Sequence, residues 1–122
     1  MHLSFRSWAM RLLVLVLLVW TAEFAWAHAV LVESSPAANA AVKGPDIAFN
    51  LRFNVRIDGD RSRLWLLSPD GNTAPLPIEK QPSPDRLQAH ASGLKAGTYK
   101  LQWHVLASDG HMSKGEIPFT VN

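Results

Sequence analysis

Near its carboxyl end the chain reads Ser108-Asp109-Gly110-His111. Asp109 and His111 stand two apart, so in an extended segment both side chains leave the same face, and Gly110 lets the backbone bend toward a shared ion. A carboxylate and an imidazole so placed are two donors for a cation. An Asp-Gly pair between alternating apolar residues is equally the mark of a hairpin turn, and for this tripeptide taken alone a turn with a solvated Asp and His is the simpler account. A hydrolytic relay of Ser108 or Ser113 with Asp109 and His111 is excluded, because neighbours on one turn cannot form the in-line arrangement.

Further donors come from the other end of the sequence. Arg6 and Arg11 lead into the apolar run LLVLVLLVW at 12–20, and the small-x-small triplet Ala25-Trp26-Ala27 follows. This is the pattern of a secretory signal peptide over residues 1–27. Glu23 stops the run short of the about 20 apolar residues that a membrane-spanning helix needs. Cleavage after Ala27 makes His28 the first residue of an exported domain, residues 28–122. An amino-terminal histidine offers two nitrogens, its free amine and an Nδ1 that closes a six-membered chelate ring with it. An α-amine with a pKa of about 7.7–8.0 is accessible as a donor near neutral pH. Cu(II) prefers tetragonal nitrogen and oxygen donors and tops the divalent affinity order, so the pair suits that ion, and Asp109 with His111 would complete an N3O set.

Two more histidines, His90 and His104, fall in mid-strand on faces shared with Gln88 and Lys100, where solvated surface residues are expected. The leader takes with it Arg6, Arg11 and Glu23, so the exported domain carries a formal charge of +1, not the +2 of the whole chain. Such interspersed, near-neutral charge leaves no footprint for nucleic acid, and no basic amphipathic stretch marks a membrane surface. There is no cysteine, although export leads to a compartment that permits disulfides. The domain must therefore stand on its apolar core, and any metal must be held without thiolate.

The elements that would position these donors are strands. IAFNLRFNVRI at 47–57 alternates throughout, with Ile47, Phe49, Leu51, Phe53, Val55 and Ile57 on one face, and reads as one strand. RLWLL at 63–67, RLQAHA from Arg86, TYKLQWHVLA from Thr98 and GEIPFTV from Gly115 read as further strands, and HAVLV leads a short one into a Ser34-Ser35-Pro36 turn. Pro118 suggests an edge, and the proline-rich stretch at 73–85 an irregular loop or an edge. Trp65 and Trp103 read as half-buried. No helical period survives beyond the leader. Six or seven short strands with turns between them predict one all-β domain, an immunoglobulin-like, cupredoxin-like Greek-key sandwich or barrel.

The ordered run of HA at 28–29, SSPAANA at 34–40, the alternating strand near residue 50 and AGTYKLQWHVLASDGH at 96–111, closed by a Gly and Phe-Thr-Val, resembles the CopC/PcoC family of periplasmic copper-binding proteins. The likeness covers essentially all of residues 28–122. It implies a seven-stranded Greek-key domain with one Cu(II) per chain, held by His28 with its amine, by Asp109 and by His111. It also implies a monomer in the periplasm that holds copper and passes it on, often beside a CopD-type inner-membrane protein, without catalysing a reaction.

Two departures qualify it. The only methionines are Met1, Met10 and Met112, and the loop at 68–85 carries prolines where a methionine-rich Cu(I) site would need thioethers, so no such site is expected. Met112 stands where the family usually has proline and is expected to pack beside the site, and FNVRI at 53–57 lacks the acidic residue often found after that phenylalanine.

Two other classes of function compete. A copper-brace oxidative enzyme also pairs an amino-terminal histidine with a second one on a β-sandwich, but it needs an open redox position and a broad aromatic surface. A metal-free immunoglobulin-like interaction module would use the Asp-Gly-His run only as a turn.

Overall fold

The computed structural model describes residues 28–122, so the leader expected over residues 1–27 lies outside the described residues. Eight strands follow in order: β1 Leu31–Ser35, β2 Ala40–Val42, β3 Ile47–Phe53, β4 Ile57–Leu67, β5 Thr73–Leu76, β6 Arg86–Ala91, β7 Gly97–Ala107 and β8 Met112–Val121. Among the described residues there is no helix. The strands form a three-stranded sheet, β1-β3-β6, and a five-stranded one, β2-β8-β7-β4-β5. This is the predicted all-β, immunoglobulin-like sandwich.

Alternation explains the core. In β3 the odd-numbered residues Ile47, Phe49, Leu51 and Phe53 are buried, and in β7 so are Tyr99, Leu101, Trp103 and Val105. Aromatic edges and faces bridge the sheets: Phe49 meets Phe119 with ring centroids 5.5 Å apart, and Phe53 meets Trp103 at 5.3 Å. Such pairs add about 0.5–1.5 kcal/mol each beyond the area they bury. Trp103 lies deep in this core at 7% exposure, a correction to the half-buried reading, whereas Trp65 sits half-buried on the outer face. The Tyr99 hydroxyl donates to the Lys95 carbonyl at 2.7 Å, a tie of the tyrosine-corner kind found in immunoglobulin-like sandwiches.

Three findings correct the expected strands. The alternating stretch at 47–57 is not one strand: β3 ends at Phe53, residues 54–56 bend, and Ile57 opens β4 in the other sheet. Apolar spacing persists across the bend because Phe53 at the end of β3 and Ile57 at the start of β4 both face the one core, so periodicity could not reveal the break; beyond its register shift β4 buries the even-numbered Ser62, Leu64 and Leu66. β4 also begins earlier than residue 63, with a register shift between Asp58 and Arg63. Ser62, fully buried there, donates its hydroxyl to the Asp58 carbonyl at 2.7 Å and accepts the Leu106 amide at 3.1 Å, which satisfies the irregular backbone.

The third correction concerns edges. The short β2 pairs with the end of β8, opposite Phe119 to Val121, and it does so in parallel, so β8 is not an edge there. Pro118 lies one residue before that pairing begins, and its carbonyl accepts the Asn39 amide. β5, with Pro75 opposite Trp65, is the edge that the proline-rich stretch suggested.

Candidate metal centre

β7 and β8 are a hairpin, paired from Gly97 opposite Val121 to Leu106 opposite Met112. Residues 107–111 make its turn. The Ala107 amide donates to the His111 carbonyl at 2.9 Å and the Gly110 amide to the Ala107 carbonyl at 2.9 Å. Gly110 sits at φ +90°, a left-handed conformation that glycine adopts without a Cβ clash. The Asp-Gly-His run is thus a turn, as the local sequence suggests, and the same turn is what gathers the two side chains.

Asp109 accepts the His111 backbone amide on Oδ1 at 3.0 Å, and the His111 Nδ1 lies 3.3 Å from the same oxygen. The amide bond from His111 is the leading cause that holds the Asp109 carboxyl below the usual carboxylate range, with the imidazole bond and charge of His111 adding to it against a smaller cost of partial burial. A carboxylate kept ionised and fixed in direction is what a cation site requires.

His28 reaches this turn because β1 runs antiparallel to β3, with Leu31 opposite Phe53. The residues preceding β1 therefore lie beside the bend at 54–56. Ala29 tucks into the core at 5% exposure, and Val30 is bonded in both directions to Asn54: its amide donates to Asn54 Oδ1 at 2.8 Å, and its carbonyl accepts the Asn54 amide at 3.0 Å. From the same bend the Arg56 carbonyl accepts the Ser108 amide at 3.1 Å. One three-residue bend thereby holds the amino-terminal arm and the hairpin turn together.

The result is that the rings of His28 and His111 lie 6.0 Å apart between centroids, nearly perpendicular. Residues some 80 positions apart in sequence share one pole of the sandwich. Among the described residues no three His, Asp or Glu side chains are gathered as a finished cage. In the unprocessed sequence the nitrogen of His28 is an amide linked to Ala27, not an amine.

The remaining histidines stand elsewhere. His90 is exposed on the three-stranded sheet and pairs with Glu79, and His104 packs against Trp65 on the outer face of the five-stranded sheet with centroids 4.8 Å apart. Met112 does not pack beside the site as expected. It lies opposite Leu106 and is 54% exposed, on the face of β8 opposite the buried Ile117, Phe119 and Val121. Sequence reasoning missed Asn54, whose side-chain oxygen accepts the Val30 amide, and Arg56, whose part is a backbone carbonyl that residue type does not announce.

The model of the CopC domain matches residues 31–122. The chain belongs to the CopC family. It is 35% identical over 99 residues to protein YobA of Escherichia coli strain K12, covering 79% of this chain and 80% of that protein. It is 32% identical over 105 residues to copper resistance protein C of Xanthomonas campestris pv. juglandis, covering 80% and 82%. Among solved structures it is similar to CopC from Methylosinus trichosporium OB3b, with a TM-score of 0.73, 31% identity, and coverage of 78% of this chain and 94% of that one. The matched segment of this CopC-family chain includes Asp109 and His111 and begins three residues after His28.

Proposed function

We propose that this CopC-family chain is a periplasmic Cu(II)-binding protein of copper homeostasis, exported by its leader and cleaved after Ala27. The mature protein holds one Cu(II) through the amine and Nδ1 of His28, the carboxylate of Asp109 and the imidazole of His111. The observation that carries this reading is the meeting of His28 and His111 at one pole, 6.0 Å between ring centroids, with Asp109 alongside His111. Cleavage supplies the missing nitrogen, since it turns the His28 amide into an amine without moving the residues that anchor the arm.

Each residue has a distinct task. The His28 pair forms a chelate ring and so loses little freedom on binding. Asp109 supplies charge and favours Cu(II) over Cu(I), since a hard anionic oxygen suits the higher oxidation state. His111 adds a third nitrogen from the opposite sheet. The protein binds and releases copper without turnover, as a monomer, and its exchange partner is an inner-membrane copper protein of the CopD type.

Titration of the exported protein, after amino-terminal sequencing of the same sample, tests the reading. A chain that begins at His28 is expected to bind one Cu(II), and His28→Ala or His111→Ala to lose tight binding. Unchanged stoichiometry and affinity in both variants would refute the assignment.

A further inference from the structure

Resting on that reading, we infer that Asn54 is a positioning residue for copper: it clamps the amino-terminal arm so that His28 is held at the metal site before the ion arrives. The arm has few other restraints. His28 is exposed and lies ahead of β1, whose ladder begins at Leu31. Between them, Ala29 contributes only a methyl to the core, and the Val30 side chain is 53% exposed. The reciprocal pair with Asn54 is therefore the polar fastening of this segment, at 2.8 Å from the Val30 amide to Oδ1 and 3.0 Å from the Asn54 amide to the Val30 carbonyl.

The two bonds differ in how they depend on the side chain. Any residue but proline at position 54 can donate its amide to Val30, whereas the acceptor for the Val30 amide belongs to the Asn54 side chain alone. Without it that amide faces solvent and the arm frays. Two of the proposed copper donors sit on His28, two residues further out, so fraying lowers the fraction of molecules in which they face Asp109 and His111. A ligand's apparent affinity falls by the same fraction. Asn54 touches no metal in this account and acts through the backbone of Val30.

The test uses the mature chain and its Asn54→Ala and Asn54→Asp variants, read by Cu(II) competition with a chelator and by hydrogen exchange at the Val30 amide in the apo protein. Asn54→Ala removes the acceptor and Asn54→Asp keeps it. The expected result for Asn54→Ala is an affinity loss of about tenfold, the lower end of the roughly 10–100-fold that follows removal of a ligand's supporting partner. It should come with loss of protection at Val30, while the apo melting curve and the spectrum of the saturated copper complex stay close to those of the parent. Asn54→Asp should restore both affinity and protection. Parent-like affinity in Asn54→Ala, or affinity restored by Asn54→Asp without protection at Val30, would overturn the clamp. If the unsubstituted mature chain bound no Cu(II), the functional reading would fall instead, and protection at Val30 would still judge the fastening.

Discussion

Trp103 and Gly115 face each other across the β7–β8 hairpin, and the indole lies over the glycine. A Cβ placed on Gly115 would come within 2.4 Å of the ring, closer than any real contact. Trp103 is itself buried in the core against Phe53, so withdrawing it would disturb that packing. Gly115→Ala is expected to destabilise the apo domain by about 1–3 kcal/mol, the usual cost of overpacking, as a lowered urea midpoint. A midpoint within error of the parent would show that the indole can move. At this same scale the ligand candidates were legible from type and spacing, because a histidine behind an expected cleavage site and an Asp-x-His run are visible as chemistry. The Asn54 clamp was not, because one asparagine in a strand-like run resembles any other polar residue on an outward face.

Between β3 and β4 the alternation that predicts a single strand is satisfied by two. Phe53 and Ile57 are both buried, one at the end of each sheet, and Val55 between them packs against the core's margin. Binary pattern reports which residues face the core and is blind to which sheet carries them, so the bend that ties the amino-terminal arm to the β7–β8 turn was hidden in the most regular stretch of the sequence. β6 meets the same corner: the Phe53 amide donates to the Asp85 carbonyl at 2.8 Å, and Ser83 donates its hydroxyl to the Asp85 carboxylate at 2.7 Å. That hydroxyl bond is the first cause that holds the Asp85 carboxyl below its usual range. The sign follows directly: a depressed carboxyl stabilises the fold above its unfolded pKa of about 3.9, and the contribution is lost as pH falls through the lower native value. The apo domain is expected to unfold at lower urea at pH 3 than at pH 5, and Asp85→Asn to shrink that difference. An equal pH dependence in the variant would place the acid sensitivity elsewhere.

As a whole the molecule is a cysteine-free sandwich in which two distant segments meet at one pole. Fold class followed from the strands and turns, since few architectures bury so many short alternating segments without helices. The sheet order, the parallel β2 and the long β4 did not follow, because they depend on pairings between segments far apart in the chain. This topology brings His28, just ahead of β1, to the β7–β8 turn; under the proposed function, export, processing and copper binding would be joined in one event. The most direct test is a Cu(II) titration, against a competing chelator, of the chain that begins at His28 beside the same chain with one glycine placed before His28. The extra residue leaves every side chain intact and removes only the amine from its chelate. The account expects one tightly bound Cu(II) in the first and an affinity lower in the second by at least the roughly 10–100-fold that loss of a supporting contact costs. Equal affinity in the two chains would contradict it.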